Sequence, residues 1–291
     1  MTFTTRFAPS PTGPLHLGHA FSAMRAHDMA CAQNGIFLLR IEDIDQSRAR
    51  AEWEAQIYDD LHWLGITWPT PVLRQSDNMA AYTHALDALW DRGWLYQCDC
   101  NRRDIAEAVQ APQEGAVKLG PDGVIYPGTC RHKHPRTGSR PPSTALRLDL
   151  AAALTGMTLP LRYTEVARHP VQQIIADPLN AIGDIVLARR DMGTSYHLSV
   201  VVDDAAQGIT HVVRGADLAE ATGIHMILQT LLNLPTPTYH HHRLIRDETG
   251  KRLAKRDDAR AIANYRADGA APGDIRAMVG LPSLGQENPR G

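Results

Sequence analysis

The stretch Arg6-Phe7-Ala8-Pro9-Ser10-Pro11-Thr12-Gly13-Pro14-Leu15-His16-Leu17-Gly18-His19 decides the fold of this 291-residue chain. The apolar run 3–8 reads as a strand, and the prolines and glycine after it read as a turn. His16 then opens a helical pattern that continues through 20–34, with Gly35 as the expected C-cap. A strand, a glycine turn and a helix start together make an anion site. Backbone N–H groups and the positive end of the helix converge there. His16 and His19, three residues apart, share one face of the first turn. They can donate hydrogen bonds to a phosphate whose charge changes during reaction. The plainer alternative is a pair of helix-face histidines satisfied by nearby carbonyls.

Working outward, 36–43 reads as a second buried strand that ends in acids. Strand, helix and strand at this spacing imply a right-handed βαβ unit and a parallel sheet. An amphipathic helix follows over 48–64, with Trp53, Ile57, Leu61 and Leu64 inward and Gly65 ending it. Another begins at Asp77 and runs to about residue 92. From 95 to 142 the texture changes: glycine, proline, histidine and arginine become frequent and periodicity fades. Cys98-Asp99-Cys100 and Tyr126-Pro127-Gly128-Thr129-Cys130 bracket a short helix over 102–109. Two further strands are expected at 145–150 and 171–175.

The nucleotide-binding pattern then resumes. Strands are expected at 185–189, 209–214 and 239–246, and a helix at 218–232. The run 196–204 is apolar and then acidic. A turn at 247–250 leads into the basic loop Lys251-Arg252-Leu253-Ala254-Lys255-Arg256, followed by helices at 258–267 and 274–279. The fold class expected is α/β: a Rossmann-like parallel-sheet nucleotide-binding domain of the HUP type, split over 1–94 and 184–270. Residues 95–183 read as an inserted subdomain with its own metal staple and 271–291 as a short tail.

Thirty Lys and Arg against 32 Asp and Glu give a net charge of -2, which argues against non-specific coating of nucleic acid. No charged-then-apolar leader and no window of membrane-spanning length is present, so a cytoplasmic protein with no membrane partner is expected. Of the four cysteines, Cys31 stands alone and reads as a buried small hydrophobe. Cys98, Cys100 and Cys130 cluster, which in the cytoplasm suggests metal more than disulfide.

Several separated blocks carry a resemblance. Arg6 to His19 resembles the HIGH region of class I aminoacyl-tRNA synthetases in its glutamyl form. Ile41-Glu42-Asp43-Ile44-Asp45 resembles that family's next block. Tyr196-His197-Leu198, Val201-Val202-Asp203-Asp204 and the run from Gly208 to Gly215 resemble the block near the end of its nucleotide fold. The loop Arg252-Leu253-Ala254-Lys255-Arg256 resembles its KMSKS loop, with Arg252 at the first lysine position and Ala254 at the serine position. The chain stops soon after this loop, where the glutamyl enzymes continue into an anticodon-binding portion. That, with the cysteine insertion, resembles the glutamyl-queuosine tRNA(Asp) synthetase branch of the family.

The resemblance implies a ligase that activates L-glutamate with ATP in the absence of tRNA. The glutamate then passes to queuosine in the anticodon of tRNA(Asp). It implies His16, Gly18, His19 and Lys255 at ATP, with His16, His19 and Lys255 catalytic. It implies Arg6, Ala8, Ser10, Glu42, Tyr196 and Arg214 at glutamate: arginines for carboxylates, Glu42 for the ammonium group, hydroxyls for positioning. Mg2+ is expected with ATP. One structural Zn2+ is implied on Cys98, Cys100, Tyr126 and Cys130. Tyrosine is an unusual ligand, and His132 and His134 remain alternatives for the fourth position. Arg131, Lys133, Arg136, Arg140 and Arg147 are either a phosphate-facing patch for tRNA or a solvated loop. The histidines at 240–242 are expected to pack or to lie near ATP. A monomer is expected. A tRNA-binding relative with weakened catalysis, and an adenylate-forming enzyme for another acid, remain alternative functions.

Overall fold

The computed structural model describes residues 1–110, 118–166, 169–246 and 260–283. The loop 251–256, Lys255 included, falls outside them.

The opening unit is β1 (Thr4–Phe7), α1 (Leu17–Ala32) and β2 (Ile36–Ile41), with the two strands parallel and Arg6 opposite Leu38. α2 (Ala51–Trp63) leads to β3 (Leu73–Arg74), parallel to β2, and α3 (Met79–Asp91) follows. The middle of the chain holds β4 (Leu95–Cys98), α4 (Arg102–Gln110), the hairpin β5 (Leu119–Gly120) and β6 (Gly123–Val124), β7 (Ala145–Leu148) and α5 (Leu150–Leu154). It continues through β8 (Leu161–Val166), β9 (Pro170–Ile175), α6 (Pro178–Ala181) and β10 (Val186–Ala188). The last part holds α7 (Tyr196–Ala206), β11 (His211–Gly215), α8 (Thr222–Leu231), β12 (Thr238–His242), α9 (Ile262–Ala267) and α10 (Pro272–Met278).

β11, β12 and β8 are parallel neighbours, with β9 antiparallel on the edge, while β4 and β10 flank β7 in a small antiparallel sheet. β1 meets β11 through Thr210, whose N–H donates to the Thr4 carbonyl at 2.9 Å while its hydroxyl accepts from the Thr4 N–H at 2.8 Å. From β1 the chain therefore steps one way to β2 and β3, and the later strands lie on the other side. Such a reversal leaves a crevice beyond the strand carboxyl ends, the usual ligand position in an open α/β sheet. Two cores hold this frame. Phe21, Met24, Ile57, Leu61, Ile262 and Ile275 pack in one. Leu86, Leu89, Leu198, Ile224 and Ile227 pack in the other. Each such side chain contributes roughly 1.5–3 kcal/mol when fully buried, far above the propensity of any single helical residue.

Three local expectations are corrected. The left-handed residue after α1 is Asn34, at φ 48°, and not Gly35. Gly35 is needed for close approach: a Cβ there would stand 2.2 Å from the Phe3 carbonyl oxygen. Cys31 is exposed, because the buried face of α1 uses Ala20, Met24 and Ala30 and turns Cys31 outward beside His27. The strand expected over 239–246 ends at His242. β8 was not foreseen, since Leu161-Arg162-Tyr163-Thr164-Glu165-Val166 carries one fully buried position and no apolar alternation.

Candidate active site

α1 begins on a cap built from two histidines. His16 takes the N-cap position with an extended backbone, and its Nδ1 accepts from the Gly18 N–H at 3.1 Å. His19 Nδ1 accepts from the His16 N–H at 3.2 Å, completing a reciprocal capping box. The rings lie 3.8 Å apart between centroids. With both Nδ1 atoms accepting, the ring protons sit on Nε2, so each neutral imidazole keeps one N–H donor. Gly18 makes this possible: a Cβ there would press to 2.9 Å from His16 Cε1. Beyond the loop, the chain returns to the same place. Ala261 bridges His16, and the Ile262 N–H donates to the Leu15 carbonyl at 2.8 Å. Buried Ile262 therefore ties the start of α9 to the start of α1.

A cavity of about 140 Å3 is lined by Arg6, Ala8, Glu42, Tyr196 and Arg214, with Ser22 of α1 and Leu218 among its other walls. Arg6 comes from the end of β1, Glu42 from the residue after β2, and Arg214 from β11. Tyr196 is the first residue of α7, whose N-cap Ser195 accepts from the Leu198 N–H. The strand ends thus supply the charges and a helix start supplies the ring.

A buried ionic network underlies the cavity. Arg6 spends Nε and one Nη2 donor on Asp204, at 2.9 and 3.2 Å. Arg40, fully buried, donates from Nη1 to Asp204 at 2.7 Å and from Nη2 to Glu42 at 3.2 Å. Burial works against the charge of Arg40, but Asp204, Glu42 and Asp203 together outweigh it and hold the guanidinium protonated. Burial likewise pushes Asp204 up, and Arg6 and Arg40 pull it below the usual carboxylate range. Glu42 shows the opposite balance: desolvation prevails over Arg40 and Arg6, and its carboxyl titrates above its ordinary value. Asp203 accepts from Gln75, Asn78 and Tyr82 at 2.8 to 2.9 Å.

Arg214 is held differently. Nε donates to His241 Nε2 at 3.1 Å, Nη1 to His225 Nδ1 at 3.1 Å, and Nη2 to the Leu218 carbonyl and to Thr222 Oγ1 at 3.1 and 2.7 Å. His241 is set by Glu165, which meets its Nδ1 at 2.6 Å and accepts its backbone N–H at 2.8 Å.

The second feature is a thiol cluster. Cys98, Cys100 and Cys130 hold their sulfurs within 4.8 Å of one another and could hold a metal ion. The Tyr126 hydroxyl sits among them, 3.5 Å from Cys98 Sγ and 3.3 Å from Cys100 Sγ, and accepts the Cys130 N–H at 2.9 Å. Arg147 donates to Cys98 Sγ at 3.3 Å and lies 3.8 Å over the Tyr126 ring. Of the two alternative histidines, His134 is engaged by Asp99 at 2.5 Å.

The comparisons with known proteins follow this geometry. The family described as tRNA synthetases class I (E and Q), catalytic domain, matches residues 2–288. A glutamyl-Q tRNA(Asp) synthetase of Rhodobacter capsulatus is 64% identical over 281 residues, covering 95% of this chain and 99% of that protein. This chain belongs to the class I tRNA synthetase family. One of Geobacter sulfurreducens is 39% identical, covering 98% of this synthetase chain and 85% of its own. In structure, the synthetase resembles a glutamate tRNA ligase from Elizabethkingia meningosepticum, in complex with its amino acid, with a TM-score of 0.71 and 24% identity. It spans 96% of its own length but 60% of that ligase.

The synthetase's structure brings Arg6, Ala8, Glu42, Tyr196 and Arg214 to one cavity and leaves Ser10 outside its lining, exposed on the loop. His16, Gly18 and His19 meet at the α1 cap, while Lys255 lies outside the described residues. The basic residues read as either a phosphate-facing patch or a solvated loop are largely ion-paired. Arg131 pairs with Asp184, Lys133 with Asp99, Arg136 with Asp149 and Arg140 with Asp87, and Arg147 is buried at Cys98. These pairs tie the segment to α3 and to Asp184. Sequence reasoning missed Arg40, Asp203, Asp204 and His225. The signal for the acids was present, two aspartates closing an apolar run, but only a helix with both acids buried gives it meaning. No helix of the described residues is long and apolar enough to cross a membrane.

Proposed function

We propose that this synthetase activates L-glutamate with ATP, without tRNA, and passes the glutamyl group to queuosine in the anticodon of tRNA(Asp). One observation carries the reading. A cavity of about 140 Å3 brings two arginines and one glutamate together and touches, at Ser22, the same helix α1 whose start is capped by His16 and His19. In the first step a carboxylate oxygen of glutamate attacks the α-phosphorus of ATP in line, and pyrophosphate leaves with the bonding electrons. Such a transfer needs positioning and charge stabilisation more than covalent help from the protein. His16 and His19 supply donors to the phosphates, and the α1 N–H groups between them add the helix-end field. Lys255 closes on the leaving pyrophosphate. Arg214 takes the glutamate side-chain carboxylate, Glu42 its ammonium group, and the Tyr196 hydroxyl and Ala8 fix its orientation. Mg2+ arriving with ATP would supply charge neutralisation at the phosphates. In the second step a hydroxyl of the queuosine cyclopentenediol attacks the acyl carbon and AMP departs.

The Cys98, Cys100, Tyr126 and Cys130 set fits a structural zinc. Four anionic ligands around a dication leave net negative charge, and Arg147 lies against two of them to offset it. The boundaries 1–94 with 184–270, and 95–183, remain our domain division, with a monomer working in the cytoplasm where ATP and tRNA meet. The names of the relatives support the acceptor.

Glutamate-dependent ATP–pyrophosphate exchange without tRNA tests the activation step. Robust exchange is expected with glutamate and none with aspartate. No exchange with any acid would leave a tRNA-binding relative, and exchange with another acid alone would redirect the substrate. Glutamate charged to tRNA(Asp) carrying queuosine, and not to the same tRNA lacking it, tests the acceptor.

Glu42 adds a pH dependence. Its raised pKa means that lowering pH neutralises it sooner than an ordinary glutamate, removing the partner of the substrate ammonium. The KM for glutamate should therefore rise as pH falls toward 5, while the KM for ATP changes less. Glu42→Gln should show the high KM already at pH 7.5 and lose the dependence. A variant that keeps the dependence would remove Glu42 from this role.

A further inference from the structure

Arg214 differs from its two neighbours in one respect. Arg6 and Arg40 are ion-paired with Asp204, and Arg40 also with Glu42. Among the described residues no carboxylate lies within ion-pair distance of Arg214. Its four donor contacts go to two imidazoles, a hydroxyl and a carbonyl. It is 5% exposed, so water does little to screen the charge. Among the described residues this guanidinium is therefore fixed by neutral acceptors alone.

The acceptor that is least expected is His225. It is 2% exposed, on α8. Its Nδ1 lies 3.1 Å from Arg214 Nη1 and its Nε2 lies 3.2 Å from His197 Nδ1. Arg214 has only protons to give, so Nδ1 must accept and the ring proton sits on Nε2. That proton is given to His197 Nδ1, which leaves His197 with its own proton on Nε2, facing Asp122 Oδ1 at 3.6 Å. The order of donors thus runs one way, from Arg214 through His225 and His197 toward Asp122. Burial first, and then the charges of Arg214, the ring of His197, Arg6 and His241, push His225 well below the ordinary histidine range. The Tyr196 ring closes the site 5.9 Å away.

We propose that His225 is a specificity-setting positioning residue: it orients Arg214 through a neutral acceptor and so leaves the full guanidinium charge for a substrate carboxylate. A carboxylate in its place would hold Arg214 as firmly and neutralise it. The pocket would then gain nothing from a second acid and would lose its preference for an acid over the corresponding amide. This rests on the reading of Arg214 as the carboxylate contact.

Asparagine and aspartate at position 225 separate charge from shape, because both place Oδ1 near the position of the imidazole Nδ1. Glutamate and ATP KM values and kcat are measured by pyrophosphate exchange, with glutamine as the competing substrate. His225→Asn should keep the KM for glutamate within about threefold, since one neutral hydrogen bond is replaced by another. His225→Asp should raise it roughly 100-fold with the KM for ATP unchanged, the scale of losing a desolvated charge contact. It should also narrow the discrimination between glutamate and glutamine. His225→Leu should fall between them. Equal KM values for the Asn and Asp variants, or a parallel rise in the KM for ATP, would overturn the proposal. A second measurement does not depend on the substrate. Imidazole nitrogen NMR of the unliganded wild type should show His225 neutral with Nε2 protonated between pH 6 and 8. A charged ring or an Nδ1–H tautomer would overturn it even if exchange fails. Absence of exchange in the wild type, with the expected tautomer, would strike the proposed reaction alone.

Discussion

Arg40→Met should lower the unfolding free energy by about 3–5 kcal/mol at pH 7.5, the cost of removing one partner from a buried ionic cluster. Arg40 is fully buried and touches Asp204, Glu42 and Gln207 while lying 3.7 Å from Asp203. Methionine fills a similar volume but leaves Glu42 with no cation in contact and Asp204 with Arg6 alone. The orphaned carboxyls regain neutrality only by binding protons. Their folded pKa values then lie above the unfolded ones, so the folded state holds more protons and its relative stability rises as pH falls. The deficit should therefore be larger at pH 7.5 than at pH 5.5 in urea unfolding. A deficit below about 1 kcal/mol, the size of an exposed pair, would show that the cluster is not the strut its burial implies.

Arg214→Met should abolish most glutamate use with little loss of fold. Truncating a buried, hydrogen-bonded charge costs about 2–5 kcal/mol. At 1.4 kcal/mol per decade this is roughly 30- to several thousand-fold in kcat/KM for glutamate. Arg214→Lys keeps the charge but has one nitrogen where four donor contacts diverge, and should recover only part of the activity. Circular dichroism should report folded protein in both cases, because the partners left behind are neutral groups. A variant with the wild-type KM for glutamate would remove Arg214 from the substrate site. The contrast with Arg40 is instructive. Both are buried arginines at strand ends, yet one is neutralised by acids and serves the fold, and the other is held by neutral groups and faces the cavity.

Much of this was legible early because it is local. A glycine turn between a strand and a helix signals the α1 start and its cap within a dozen residues. The pair His16 and His19 is joined by the pitch of one helical turn. Gly65 ends α2 at φ 78° as its type suggests. The cysteine pair at 98 and 100 announces a ligand group by spacing alone. What was misread was equally local in appearance. Cys31 and Gly35 were judged by residue type, but a one-residue turn of α1 puts the thiol outside, and the nearness of Phe3 decides which residue must lack a Cβ. The arginines from 131 to 147 look like a phosphate patch in a list of charges. Asp87 and Asp184, distant in sequence, and Asp149, just past the run, pair with three of them.

The sequence by itself determined most of the order of elements, β8 excepted, and the helix start with its two histidines. Those follow from periodicity, turn chemistry and short spacings, which depend on the backbone alone, whereas the residues proposed to meet the amino acid come from the family resemblance. Only the tertiary structure decided which charges oppose which. Arg6 meets Asp204 and Arg40 meets Asp204 because β1, β2 and α7 converge beneath the cavity across more than 160 residues. Arg214 meets His225 and His241 because β11 lies against α8 and β12. Whether a buried arginine is a strut or a ligand depends on the charge of its neighbours, and in this chain those neighbours come from other elements of the fold.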